Sequence, residues 1–363
     1  MSGAPSDPPR EVAVVMLTAV GDVVHTLPVV RSLRAAWPGA RITWAVQPGP
    51  LGLLEPIGAA DELLVFDRKA GARGFRELRR RAAGRRFDLV LTLQSYLKAG
   101  IVATLLSSPR RVGFDRRRAR DLTWLLTNER IPPRPRAHIQ DELLEFLDYL
   151  GVGRRLEWGV GPTEEERARY AGLLPELDRP TVAFVVGTSK PEKEWPAERY
   201  ARLADALAGD LGARTVLVGA KSAREEAVAE TIRRAAHPPL DLREWDLRRV
   251  AYLLDRADVL VSPDTGPLHV GVALGTPSVA LMGYTNPKRF GPYRRFHDLL
   301  IDAFGDPGED YPLTAKNRPG RMERITVEQV VEKVETALRR YPRSAASPRS
   351  PDSQSPDPPQ SPG

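Results

Sequence analysis

Asp264-Thr265-Gly266-Pro267-Leu268-His269, continued by VGVALGTPSVALMG (270–283), decides how this chain is read. The apolar runs beside it, VLVS (259–262) and SVALMG (278–283), carry β-branched residues and predict two buried strands of a parallel sheet. Between them the chain turns at Thr265-Gly266, and Leu268 to Leu274 has the make-up of a short helix. Asp264 and Thr265 therefore stand where the carboxyl end of a strand meets the amino end of a helix. The first N–H groups of a helix have no intrahelical partner, and ligands collect at the carboxyl edge of such sheets. Gly266 allows a ligand to approach the backbone closely. An anionic, phosphate-bearing ligand suits the place, and so does the plainer reading that Asp264 or Thr265 caps the helix. Asp-Thr-Gly also occurs in aspartic proteases, but that use needs a β-rich chain and a second carboxylate loop.

The rest of the chain repeats this strand-to-helix grammar. In the first half, strands are expected at 12–17, 41–47, 63–68, 88–94 and 110–114, with helices at 23–38, 95–108 and 137–150 and a basic amphipathic segment at 75–86. The pattern weakens over 151–180, read as a linker with one short helix, and then restarts. Strands at 181–186, 214–220, 239–242, 259–262, 278–283 and 299–304 alternate with helices, and 325–340 is a strongly periodic terminal helix. Such alternation means βαβ units and parallel sheets. The division expected is a lead at 1–10, a first Rossmann-like domain at 11–165, a second at 166–340 and a Pro/Ser-rich tail at 341–363. Lead and tail have too little apolar content to bury and read as disordered. The helix 325–340 is the one element that could return to the first domain.

Composition narrows the chemistry. The 363 residues are 42% hydrophobic, enough for two cores, and no apolar run reaches the length of a bilayer. MSGAPSDPPREV lacks the apolar core of a secretion signal, so a cytoplasmic protein is expected, possible contact with the inner face of the membrane included. There is no Cys, hence no thiolate nucleophile or thiolate metal site, and the five His are scattered, so no metal is expected. The formal charge of +7 implies an acidic partner, although arginine usage alone could produce it. Arginines crowd the first half at Arg79–Arg81, Arg85, Arg86, Arg110, Arg111, Arg116–Arg118 and Arg120. A solvated face is the default for such runs. Anionic lipid or a phosphorylated acceptor is the functional option, and no recognition motif supports nucleic acid.

Two more loops carry possible chemistry. Gly21-Asp22 follows the first strand. Gly21 permits the tight turn, and Asp22 either caps the helix or acts as a general base at the sheet edge. His25 reads as a loop partner or a satisfied core residue. The second loop, Gly187-Thr188-Ser189-Lys190-Pro191-Glu192-Lys193-Glu194-Trp195-Pro196, offers hydroxyls from Thr188 and Ser189 and a point charge from Lys193. These suit a diphosphate whose charge rises as a bond to it breaks. The plain alternative is a solvated loop plugged by Trp195. The spacing is not that of a P-loop. Asp264 beside a diphosphate would be repelled unless something offsets its charge. Sugar hydroxyls or helix N–H groups are better partners for it, and His269 lies one turn on, able to reach a phosphate or to pack.

VGDVVHTLPVVRSL, GTSKPEKEWP and SPDTGPLHVGVALGTPSVALMGYTNP, in this order, resemble the heptosyltransferase-type glycosyltransferases of family 9, over residues 11–340. The resemblance implies a GT-B fold: an α/β protein with two Rossmann-like domains whose parallel sheets face across a cleft. It implies inverting transfer of a heptose or related sugar from a nucleotide-diphosphate donor, ADP-heptose foremost. The receiving hydroxyl belongs to a phosphorylated, lipid-linked, lipopolysaccharide-core-type saccharide at the inner membrane surface, reached by a peripheral protein that needs no cofactor. By the same resemblance Asp22 is the base, Lys193 with Thr188 and Ser189 holds donor phosphate, and Asp264, Thr265 and Gly266 contact donor sugar and phosphate with His269 behind. The amino half takes the acceptor and the carboxyl half the donor. Two departures stand out. Lys190-Pro191-Glu192 offers a second lysine for the diphosphate, and Lys221 stands where an acidic residue often meets the ribose, with Glu225 and Glu226 beyond. An epimerase or hydrolase of the same fold, or a non-catalytic nucleotide-sugar or glycan binder, is the alternative.

Overall fold

Valine-rich runs such as Glu11–Val15, Thr181–Val185 and Val259–Pro263 are buried almost throughout, as strands covered on both faces must be. A computed structural model describes residues 7–174 and 179–343. Residues 1–6 of the lead expected at 1–10, and 344–363 of the tail expected at 341–363, lie outside the described residues. Contacts divide the chain into two units, 1–158 and 159–363.

In the first unit the strands are β1 (Glu11–Val15), β2 (Arg41–Val46), β3 (Glu62–Val65), β4 (Leu89–Thr92), β5 (Arg111–Gly113) and β6 (Glu129–Arg130). They form one parallel sheet in the order β3-β2-β1-β4-β5-β6. In the second unit β7 (Thr181–Val185), β8 (Arg214–Val218), β9 (Leu240–Asp241), β10 (Val259–Pro263), β11 (Ser278–Met282) and β12 (Ile301–Asp302) form another. Its order is β12-β11-β10-β7-β8-β9, the same topology read from the other edge. In each sheet the chain winds outward one way, returns to the middle and winds the other way. The reversal leaves a crevice at the carboxyl ends of β1 and β4, and a second at those of β7 and β10. Every loop singled out from the sequence follows one of these strands.

The boundary between the units falls earlier than expected, and two helices take their places accordingly. The first unit ends at Trp158 rather than 165. Tyr170 of the short helix Glu164–Tyr170 bonds Asp246, and Arg167 reaches Asp255 at 2.7 Å, so that helix belongs to the second unit. The terminal helix Val327–Arg340 packs on helix Ala197–Leu211 and on β10 and β11, within the second unit. Several short elements escaped the sequence reading. The Pro- and Gly-rich segment Pro48–Leu54 is helical, and β6 is too short to show alternation.

Gly283, just after β11, lets the chain pass the segment around Met322. A Cβ there would lie 2.7 Å from Met322 N and 2.8 Å from Arg321 C, both backbone atoms that cannot swing aside. Gly283→Ala is therefore expected to destabilise the second unit by about 1–3 kcal/mol, read as a lower denaturation midpoint. It should also displace Tyr284 and Thr285, which follow directly.

Candidate functional site

The second unit brings two of the predicted loops together at its switch point. The helix Gly266–Leu274 starts after Thr265, whose hydroxyl accepts from Leu268 N at 3.4 Å, and it stops at Gly275 in the left-handed conformation. Its side chains from Leu268 to Leu274 are buried because it lies against helix Leu247–Arg256 and both β10 and β11. Thr265, not Asp264, is thus the cap. Pro267 has no N–H, and that of Leu268 is taken. Backbone donors at this turn reduce to Thr265 and Gly266.

Asp264, released from capping, is the hub. Its Oδ2 accepts from Lys193 Nζ at 2.6 Å and from the Thr285 hydroxyl at 2.8 Å, while Oδ1 meets His269 Nε2 at 3.3 Å. Lys193 also donates to the Asp264 carbonyl at 3.2 Å. The Asp264 and Lys193 side chains are only 11% and 15% exposed. Burial by itself would raise the Asp264 carboxyl. The His269 hydrogen bond and the Lys193 charge overcome it and hold the group well below the usual carboxylate range. The objection that a carboxylate would repel a diphosphate is answered here, because Asp264 is offset by the ammonium beside it.

A pH dependence follows with a definite sign. A carboxyl whose folded pKa lies below its ordinary value of 3.8 stabilises the fold fully above that value and loses the contribution as pH falls beneath it. Acid titration of unfolding should show a steeper loss below about pH 4 for the native protein than for Asp264→Asn, which has no proton to take up.

The remaining loop residues are arranged less as expected. The Thr188 hydroxyl donates to Lys190 O at 2.6 Å and so shapes its own loop. Ser189 is exposed. Lys190 rests on Tyr284, its Nζ 3.4 Å from the phenol oxygen, which also accepts from Asn317 at 3.2 Å. Trp195 is the buried plug of the plainer reading, its Nε1 donating to Ile325 O at 3.0 Å. Glu225 does not face outward for a ribose: its carboxylate accepts from Ala220 N at 3.1 Å and Ser222 N at 3.0 Å as part of a capping box. Glu226 pairs with Arg233 and Arg243. Tyr284 and Thr285 were missed from the sequence although they follow a quoted strand, since nothing in GYTNP announces a carboxylate partner.

In the first unit, Asp22 is the third residue of helix Val20–Ala36, and its Oδ2 accepts from Ala19 N at 3.0 Å. Gly21 is buried in the first turn. The loop is clamped from β4: Gln94 Oε1 accepts from Leu17 N at 3.3 Å, and its amide donates to Thr18 O. Gln94 is the missed positioning residue here, hidden at the end of an apolar strand. His25 is a core residue, 4% exposed, with Nδ1 3.0 Å from Gln140 Oε1 and its ring edge-on to His138.

Two parallel sheets of this order, each with its loops at the switch point, define an α/β protein of the GT-B type. The model of glycosyltransferase family 9 (heptosyltransferase) matches residues 75–302, and the chain belongs to that family. It is 28% identical over 337 residues to the lipopolysaccharide core heptosyltransferase OpsX of Haemophilus influenzae, covering 90% of this chain and 96% of that one. It is 27% identical over 300 residues to lipopolysaccharide heptosyltransferase 1 of Escherichia coli K12, covering 78% and 90%. Among solved structures, a family 9 glycosyltransferase from Veillonella parvula superposes with a TM-score of 0.76 at 27% identity, over 91% of this chain and 98% of that one. The E. coli heptosyltransferase WaaC with ADP superposes at 0.72 and 22% identity, over 90% and 99%, a likeness of fold. The protein is a glycosyltransferase. No helix among the described residues is long and apolar enough to cross a membrane.

Proposed function

We propose that this glycosyltransferase moves a heptose from ADP-heptose to a hydroxyl of a phosphorylated, lipid-linked saccharide of the lipopolysaccharide-core type, with inversion and without a metal. The reading rests on the division of chemistry between the switch points: a carboxylate at the first, and a cation-and-hydroxyl cluster at the second. The names of the full-length relatives supply the sugar and the acceptor class.

In this mechanism Asp22 takes the proton of the acceptor hydroxyl as its oxygen attacks the anomeric carbon. The bond from that carbon to the diphosphate breaks on the opposite face, and the diphosphate leaves with the electron pair. Lys193 and Lys190, the hydroxyl of Ser189, and the Thr265 and Gly266 N–H groups receive the growing charge, with Thr188 shaping the loop that carries them. Asp264 keeps Lys193 in place, and His269 and Thr285 keep Asp264 in place. The acceptor's lipid anchor sets the work at the cytoplasmic face of the inner membrane, with the enzyme bound peripherally.

Mass-spectrometric turnover of ADP-heptose and a panel of nucleotide-hexoses, with and without a lipid-free core acceptor, tests this. Glycosylated acceptor from ADP-heptose is expected. Product from another donor alone would replace the sugar. Donor consumed without acceptor would replace transfer by epimerisation or hydrolysis, and donor bound but never consumed would leave only a binding protein.

A further inference from the structure

Six large hydrophobic side chains are exposed among the described residues, and four of them sit on neighbouring loops of the first unit. Tyr96 (47%) and Leu97 (41%) follow β4; Leu122 (60%) and Leu125 (59%) follow β5. The two loops are joined into one surface. Arg120 N and the Thr123 hydroxyl both donate to Ser95 O at 2.8 Å, and the turn Thr123–Leu125 presses on the helix Leu97–Leu105 where Gly100 leaves room for Thr123 and Leu126. Asp121 and Leu122 both lie in the left-handed region, a costly backbone for non-glycine residues, and this holds Leu122 out. Large apolar side chains grouped this way, rather than scattered, mark a contact surface.

The charge around the patch selects the occupant. Residues 95–130 contain eight Lys and Arg against three Asp and Glu. Two of the arginines are spent internally, Arg118 on Asp115 and Glu145 and Arg110 on Glu129. Lys98, Arg116 and Arg117 are exposed, and no carboxylate pairs with them among the described residues. Arg116 stacks on Trp124 at 4.5 Å and Arg120 on Tyr96 at 5.4 Å, which seats the cations beside the apolar side chains. Leucines and a tyrosine ringed by unpaired cations are complementary to an anionic bilayer, with apolar tips in the acyl boundary and cations on the headgroups.

We infer that the face made by Tyr96, Leu97, Leu122 and Leu125, with Lys98, Arg116 and Arg117 around it, docks the enzyme on an anionic lipid surface. The inference rests on the peripheral reading above and assigns it to particular residues. It has a functional corollary within the first unit. Loops after β1, β4 and β5 share one edge of the sheet, and Gln94, two residues before Tyr96, holds the loop that carries Asp22. The docked face and the base are thus on the same edge, where a lipid-linked acceptor would rise from the membrane.

The test is flotation of the full-length chain with phosphatidylcholine vesicles with and without phosphatidylglycerol. These hold no saccharide acceptor, so binding cannot report on the acceptor site. The native protein is expected to float only with the anionic vesicles. Leu122→Ser with Leu125→Ser, and separately Arg116→Glu with Arg117→Glu, should each weaken partitioning about tenfold or more. Both variants should keep native turnover of a lipid-free acceptor, which separates this result from failure of the transfer reading. Equal flotation by native and variant proteins would overturn the inference, as would no flotation at all. It would also be overturned if the leucine pair altered only self-association in lipid-free sedimentation, since the face would then join two copies of this chain.

Discussion

Asp22→Asn is expected to lower kcat by about 10²- to 10⁴-fold while leaving the first unit about as stable as the native one. The substitution is chosen for what it keeps. The Asp22 carboxylate accepts from Ala19 N at 3.0 Å, closing the first turn of its helix. An asparagine oxygen can accept the same bond, but it cannot take a proton from an acceptor hydroxyl. Asp22→Ala loses both, and should add a stability loss of about 1 kcal/mol to the loss of turnover. Parallel thermal denaturation and initial rates with saturating donor and acceptor distinguish the two roles. An asparagine variant with native kcat would reduce Asp22 to a capping residue and move the base elsewhere.

Lys193→Met should have the largest effect on the second unit. It removes the cation from a carboxylate that is 11% exposed, leaving His269 and Thr285 on the Asp264 carboxylate. Breaking one side of a buried pair costs about 3–5 kcal/mol. The two residues lie on different loops, after β7 and after β10, so the loss should also let those loops separate. If Lys193 additionally holds the diphosphate, kcat/KM for the donor should fall about 10²- to 10³-fold. Pairing it with Asp264→Asn separates stability from binding, because the double variant has no stranded charge and should recover most of the denaturation midpoint. Donor turnover should stay low in the double variant. Recovery of both would make the pair a purely structural bridge.

Much of this was legible in the chain. The strand-to-helix alternation predicted parallel sheets, and loop order marked where ligands gather, because backbone geometry and apolar period are local properties of a sequence. VLVS before Asp264 and the Gly21-Asp22 turn needed no partner to be read. Family membership rests on the same local runs, and the matched segment 75–302 includes two of the three loops that were quoted for it.

What only the tertiary structure decided were the pairings between loops. Asp264 and Thr265 are adjacent and equally good caps, and their roles separated only when Lys193, 71 residues away, arrived beside one of them. His25 read equally as a loop partner or a satisfied core residue until Gln140, 115 positions on, decided for the core. Glu225 looked available to a ligand until its own capping box claimed it. The exposed face at Tyr96 and Leu122 reads in sequence as ordinary apolar residues among arginines. A side chain's period says which way it points along its own strand or helix, but its charge and exposure depend on what distant segments bring to it. The sheet order sets those neighbours, and no local pattern encodes them.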